Sequence, residues 1–141
     1  MVAVSGTTGS PGYNGSVSDG GKTWEVYTFN GSGSITFSAG GTVEYLVIAG
    51  GAGGGVQAFG GGGGGGAGGV LQSSFTASAG TYDATVGGGG ASNAAGSDSV
   101  LALNGGAEVA RATGGGTQAA NGGSGGGGSN ITTTPGNGTS G

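Results

Sequence analysis

The chain has 141 residues with a net charge of −4, and its only bases are Lys22 and Arg111. With so little positive charge to neutralise phosphates, it is not expected to bind nucleic acid. No apolar run reaches the roughly 18 residues of a membrane-spanning helix, so membrane insertion is not expected either. Cysteine and histidine are absent, which removes the common metal clusters and the Ser–His and Cys–His arrangements of nucleophilic catalysis. We therefore expect no enzyme activity, no cofactor and no bound metal ion.

Glycine accounts for 44 of the residues, a share typical of collagen. The strict Gly-X-Y period is missing, however, and Pro11 and Pro135 are the only prolines, so a collagen triple helix is rejected. Intrinsic disorder is another common explanation of such a composition. The larger apolar residues nevertheless cluster in short alternating runs, which favours a folded β domain.

The chain begins with small, polar, turn-rich residues, and we expect residues 1–21 to form an extended N-terminal arm. The alternating run at residues 22–29 is rich in aromatic and β-branched types and predicts a strand. Residues 30–33, Asn-Gly-Ser-Gly, predict a hairpin turn. Residues 34–37 then predict a short second strand.

The next predicted strand, residues 42–49, is apolar on both faces. Val43, Tyr45 and Val47 alternate on one face, while Leu46 and Ile48 lie on the other. A strand with two apolar faces is typical of the middle of a sheet, so we expect a central position.

Four later segments, residues 70–77, 81–86, 99–103 and 107–113, also predict strands. Asn104-Gly105, between the last two, is the strongest hairpin signal in the chain. Bulky side chains are scarce, so we expect at least three of the following four aromatic residues to be buried: Trp24, Tyr27, Phe29 and Tyr45.

Three of these strands run directly into glycine, at Gly50, Gly87 and Gly114. Such runs form either a disordered tether or polyproline-II-like helices with three residues per turn. The repeated position at strand ends favours the second. We therefore predict an all-β fold, a small β-sandwich of six to eight strands with packed polyglycine-II segments extending from one edge. The glycine-rich β domain is expected to cover residues 22–128, followed by a tail at 129–141.

Four motifs carry a family resemblance: residues 27–37, 43–51, 66–71 and 79–88. In this order they resemble the glycine-rich domain of bacteriophage virion proteins, especially tail-fibre and adhesin-like proteins, over roughly residues 24–128. The resemblance implies a β domain with polyglycine segments on a phage structural protein. Some phage adhesins carry stacked polyglycine helices whose loops touch the receptor.

We accordingly expect a non-enzymatic virion protein, exposed on tail fibre or capsid, that supports host attachment. Its expected partners are other virion proteins, further copies of itself in a homo-oligomer, and a host surface glycan or protein. An extracellular filament or matrix subunit is the alternative, suggested by low charge, arm and tail. An ice-binding protein is the third hypothesis, ranked last because Thr132, Thr133 and Thr134 are adjacent rather than regularly spaced.

Glycine has no side chain for recognition, so we expect any host contact to fall on the links between glycine segments, residues 56–59, 91–95 and 117–121. These links should gather at one distal tip, or else they are neutral spacers. Phe59 is predicted either to plug the glycine layer or to lie exposed at the tip. The candidate contact residues are Gln57, Phe59, Asn93, Gln118 and Asn121.

Overall fold

A computed structural model describes residues 2–56, 61–129 and 134–139, and this part of the chain is all β. Nine strands lie in the described residues, one more than the upper limit predicted, because residues 1–21 supply two of them. The strands are β1 (Ala3–Thr8), β2 (Gly12–Asp19), β3 (Lys22–Thr28), β4 (Gly33–Ala39), β5 (Gly41–Ile48), β6 (Val70–Ala77), β7 (Gly80–Thr85), β8 (Ser99–Leu103) and β9 (Glu108–Ala112).

The strands form one five-stranded antiparallel sheet, in the order β1-β4-β7-β8-β9, and two separate hairpins, β2-β3 and β5-β6. Side chains from both hairpins, including Tyr27, Val43 and Phe75, pack against the same cluster on the five-stranded sheet. The hairpins therefore form a second layer, and the predicted all-β sandwich is confirmed. The predicted domain boundaries stay predictions, but β1 hydrogen-bonds to β4 within the larger sheet.

The core lies between the five-stranded sheet and β6. Its buried residues are Ile35, Phe37, Ala77 and Tyr82. The Tyr82 ring lies 5.4 Å from the Phe37 ring and 5.5 Å from the Phe75 ring, both in tilted arrangements. Such aromatic pairs stabilise a core beyond the area that they bury, which matters where bulky residues are few.

One of the two predicted hairpin turns is wrong. β3 pairs with β2, and β4 pairs with β1 and β7, so residues 30–32 carry the chain between layers instead of closing a hairpin. The Ser32 hydroxyl accepts a hydrogen bond from the Val86 N–H at 3.0 Å and anchors this crossover. The Asn104-Gly105 hairpin is confirmed: β8 and β9 pair, and Gly105 has the left-handed φ of 66° that this turn needs.

Two expectations about burial are also wrong. β5 is not central, because among the described residues β6 is its only sheet neighbour, and Leu46 and Ile48 on its outer face are 59% and 56% exposed. None of Trp24, Tyr27, Phe29 and Tyr45 is fully buried. All four are half-buried, because they border an open space between the two hairpins instead of a closed core.

The glycine segments are ordered by hydrogen bonds to one another. We call residues 49–55, 61–69, 87–98, 113–120 and 122–128 the glycine array. On one side of its first segment, the N–H groups of Ala49, Ala52 and Gly55 donate to carbonyl oxygens of residues 63–69 at 2.8–3.0 Å. On another side, the N–H groups of Gly50 and Gly53 donate to carbonyl oxygens of residues 94–97. The three-residue spacing of each row is that of a polyproline-II helix.

Close approach of these segments requires glycine at many positions. No described glycine of the array has a left-handed φ, so backbone freedom is not the reason. A Cβ at Gly50, Gly66 or Gly115 would instead collide with a carbonyl oxygen of a neighbouring segment. The hydrogen in that place points at the oxygen, in the geometry of a weak Cα–H···O contact.

The array leaves the sandwich from one edge, as predicted. β5, β7 and β9 each lead into it, and Ser99 at the start of β8 joins two of these exits. The buried Ser99 hydroxyl donates to the Ile48 carbonyl at 2.8 Å and accepts from the Gly87 N–H at 2.9 Å.

Gly115→Ala is expected to lower the free energy of unfolding by at least about 1–3 kcal/mol, the usual effect of overpacking. The added methyl would collide with the Gly66 carbonyl and lie 2.8 Å from the Ala52 nitrogen, both fixed backbone atoms. Gly64→Ala is the matched control, since its methyl meets nothing within 4 Å. The control should be neutral or slightly stabilising. Urea unfolding measures both, and equal effects would contradict the close-packed array.

Candidate functional site

The links between glycine segments meet at the end of the array away from the strands, which we call the far end. The first segment leaves the strands at Ala49, and at its other end the Gly54 carbonyl accepts from the Asn93 N–H at 3.0 Å. There the Gly63 N–H also donates to the Gln118 side chain at 3.1 Å. Described parts of the three links predicted from the sequence, Val56 of the first, residues 91–94 of the second and residues 117–119 of the third, therefore lie at one end of the array.

Asn93 holds the first and second links together. Its Oδ1 accepts a hydrogen bond from the Val56 N–H at 3.0 Å, and it lies in a turn closed by the Ala94 N–H and the Ala91 carbonyl at 2.9 Å. Its φ is 60°, a left-handed value that asparagine tolerates better than most residues. The side chain thus has a structural role, although it lies on the exposed surface.

Gln118 connects the third link to the first two. Its side chain lies against Gly55, where any Cβ would collide with it, and its Oε1 accepts from Gly63. The following turn is closed by the Ala120 N–H and the Thr117 carbonyl at 2.9 Å. Half-buried in this way, Gln118 caps a glycine segment at the far end.

Asn121 does not join them. After Ala120 the chain turns back, and Gly123 donates to Gly114 at 2.8 Å, beside the strands. Asn121 lies on this returning stretch, where its Oδ1 accepts from the Asn137 N–H at 2.7 Å. Gln57 and Phe59, including the predicted plug, lie outside the described residues.

The candidate contact residues chosen from the sequence leave out two residues that lie at the far end. Val56 is 63% exposed, and Ser92 is exposed beside Asn93. Both lie within the predicted links, so the position of the link, and not the residue type, was the available signal. With Asn93 they form a small uncharged surface of one aliphatic side chain, one hydroxyl and one amide.

A separate group of charges lies where the sheet meets the array. Arg111 bridges Asp98 at 2.9 Å and Glu108 at 3.1 Å, and the Gly114 N–H donates to the other Asp98 oxygen at 2.8 Å. The Gly114 hydrogen bond and, next, Arg111 lower the pKa of Asp98, and the two carboxylates raise the pKa of Arg111. These groups are hydrogen-bonded or ion-paired with one another, and together they hold the start of a glycine segment in place.

The described residues contain no group of three or more side chains suited to hold a metal ion. In the same part of the chain there is also no helix with the length and apolar character needed to cross a membrane.

A family model described as a glycine-rich domain matches residues 28–141. No curated protein and no solved structure is significantly similar to the chain.

Stability is expected to fall as the pH drops through the folded-state pKa of Asp98. Because that pKa lies below the ordinary 3.8, the stabilisation is complete above the ordinary value and is lost on acidification, when protonation removes the charge that Arg111 and Gly114 recognise. Asp98→Asn keeps an acceptor oxygen without the charge. Urea unfolding between about pH 6 and pH 2 should show a smaller loss for this variant, and parallel curves would exclude Asp98 as the cause.

Replacing Asn93 separates its two roles. Asn93→Gly permits the left-handed backbone but removes the hydrogen bond to Val56, at a cost of about 1 kcal/mol. Asn93→Ala also adds backbone strain, for a total of roughly 2–3 kcal/mol. Urea unfolding gives the totals, and faster amide exchange at Val56 should accompany both. Exchange at Val56 that matches the unaltered protein would rule out the cap.

Proposed function

The chain belongs to the glycine-rich domain family, and we propose that it is a non-enzymatic structural protein of a bacteriophage virion. It is exposed on a tail fibre or on the capsid, where it supports attachment to the host. The sandwich anchors it to other virion proteins or to further copies of itself, and the far end of the array faces outward.

The observation that carries the proposal is the placement of the links by the glycine array. At ~3.1 Å per residue, seven residues of polyproline-II helix span roughly 20 Å. Hydrogen bonds run between neighbouring segments along this length. The array therefore acts as a stiff spacer that presents short loops away from the sheets, a design that suits recognition at a distance better than catalysis.

The chemistry of the far end favours an uncharged ligand. Val56, Ser92 and Asn93 are exposed there, and the charged cluster of Asp98, Arg111 and Glu108 lies at the other end of the array. Hydroxyl and amide groups beside an aliphatic side chain suit the hydroxyl-rich surface of a host glycan, or a neutral loop of a host protein. The loops are tied to the array through Asn93 and Gln118, so little ordering remains for binding.

A tip substitution tests the host-contact role. Ser92 is exposed, so Ser92→Trp should leave folding and particle assembly intact while blocking the far end. We expect adsorption of virions to host cells to slow by at least about tenfold, or ~1.4 kcal/mol. Thr7→Trp, at an exposed position of β1, is the matched control and should adsorb normally.

Two results would overturn the proposal at different levels. Absence of the protein from purified virions, examined with an antibody against it, would remove the virion assignment altogether. Presence in virions with normal adsorption of the Ser92→Trp particles would remove only the host contact and leave a decoration role.

A further inference from the structure

An open slot of about 1140 Å³ lies between β3 and β5. It is bordered by an unbroken run of residues from each strand, 21–30 and 42–48. Successive side chains of a strand point to opposite faces. A cavity bordered by consecutive residues therefore faces the edge of each strand, where backbone N–H and C=O groups are presented, and not one of its faces.

Both of these edges are free. Within the part of the chain that the structure describes, β3 pairs only with β2, and β5 pairs only with β6. Among the strands of the described residues, only β2 runs close beside β3 along its length. Neighbouring strands in a sheet lie ~4.8 Å apart, so two strands that flank a third are separated by roughly 9.6 Å. A strand inserted between β3 and β5 requires this spacing, and the slot that both strands border is the space it would occupy.

The floor of the slot is apolar. It is formed by inward side chains of the five-stranded sheet, among them Ile35, Ala84 and Leu101, and Trp24 and Tyr45 stand at its sides. These rings are only half-buried, although aromatic side chains contribute most when water is excluded from them. Filling the slot would complete their burial.

The volume fits a short strand. A residue in a sheet takes up ~3.3 Å along the strand, ~4.8 Å between strands and ~10 Å between layers, so about seven residues need roughly 1100 Å³. β3 itself has seven residues and β5 has eight, so both edges are long enough to pair with such a segment throughout.

We propose that the slot receives one extended strand of about seven residues from a different polypeptide. The incoming strand pairs with the edges of β3 and β5 and produces a continuous sheet, β2-β3-partner-β5-β6, over the five-stranded sheet. Addition of a strand to an open edge is an established mode of peptide recognition, in which backbone hydrogen bonds give affinity and alternate side chains give specificity. This inference does not depend on the virion assignment.

The surroundings define the chemistry of the partner. Every second side chain of the strand enters the apolar floor. On the outer face it has the exposed Leu46 and Ile48 as neighbours. The ionic groups bordering the slot are Lys22, Glu25 and Glu44, which leave little net charge. The fitting segment is therefore uncharged and rich in apolar and β-branched residues throughout.

A second copy of the chain is a poorer occupant. All nine strands of the described residues are already paired within the chain, so a copy could donate one of these nine only by releasing it from its own sheets.

A designed peptide tests the slot directly. The probe is a capped nonapeptide of alternating threonine and valine, and its control carries proline at the central position, which removes a backbone donor and is excluded from sheet interiors. Trp24, the only tryptophan, borders the slot and reports occupancy by fluorescence. We expect a saturable blue shift, with amide exchange of β3 and β5 slowed at least tenfold and that of β1 and β9 unchanged.

A variant that fills the floor identifies the site. Ala84→Phe projects into the slot and should weaken probe binding at least tenfold. Ala102→Phe is the matched control, because Ala102 lies on the same sheet but does not border the slot. It should bind as the unaltered chain does. If Ala84→Phe fails to fold by circular dichroism, the exchange pattern of the unaltered protein decides.

Three outcomes would overturn the proposal. In the first, the proline peptide binds as well as the probe. In the second, the probe slows amide exchange in strands other than β3 and β5. Alternatively, the chain alone forms a dimer by sedimentation in which β3 and β5 are already protected, which would make a second copy the occupant.

Discussion

The structure depends on backbone hydrogen bonds between segments that have almost no side chains. A buried N–H or C=O group must find a partner, and in the glycine array each segment supplies partners to its neighbours at three-residue intervals. The bonds form only because the segments approach closer than any Cβ would allow, as at Gly50 and Gly115. Because these segments have almost no side chains, hydrogen bonds and close backbone packing stabilise them in place of the apolar core that this composition cannot build.

The array and the sandwich stabilise each other through a few polar side chains at their junction. Ser99 ties the end of β5 to the exit of β7, and Asp98 ties Arg111 of β9 to Gly114. These residues lie where strand geometry changes to polyproline-II geometry. At this point neither the hydrogen bonds between strands nor those between glycine segments provide a partner for every backbone group. At the opposite end Asn93 and Gln118 perform the same task, so candidate contact residues and structural caps coincide.

The scarcity of large side chains also explains the second layer. The core around Phe37 and Tyr82 closes only beneath β6, and the rings of Trp24 and Tyr45 border an open slot. A free chain with two unpaired strand edges and an apolar floor carries a liability to aggregation. Occupation of the slot by a partner strand would satisfy the edges and bury the rings together, which gives the exposed apolar face a purpose in an assembly.

The sequence by itself determined what local patterns encode: the positions of β3 to β9, the Asn104-Gly105 hairpin, and the exits of three strands into ordered glycine. It also located the links that carry Asn93 and Gln118. It did not reveal β1 and β2, which lie in the segment predicted to be an arm. It did not determine pairing, because β3 and β4 are separated by a turn signal that specifies a chain reversal but no partner. Only the tertiary structure decided that Asn121 turns back towards the sheets, and that β5, apolar on both faces, has one free edge. The pattern of apolar residues along a strand reflects how its faces are buried in the assembled protein, and that assembly can include another chain.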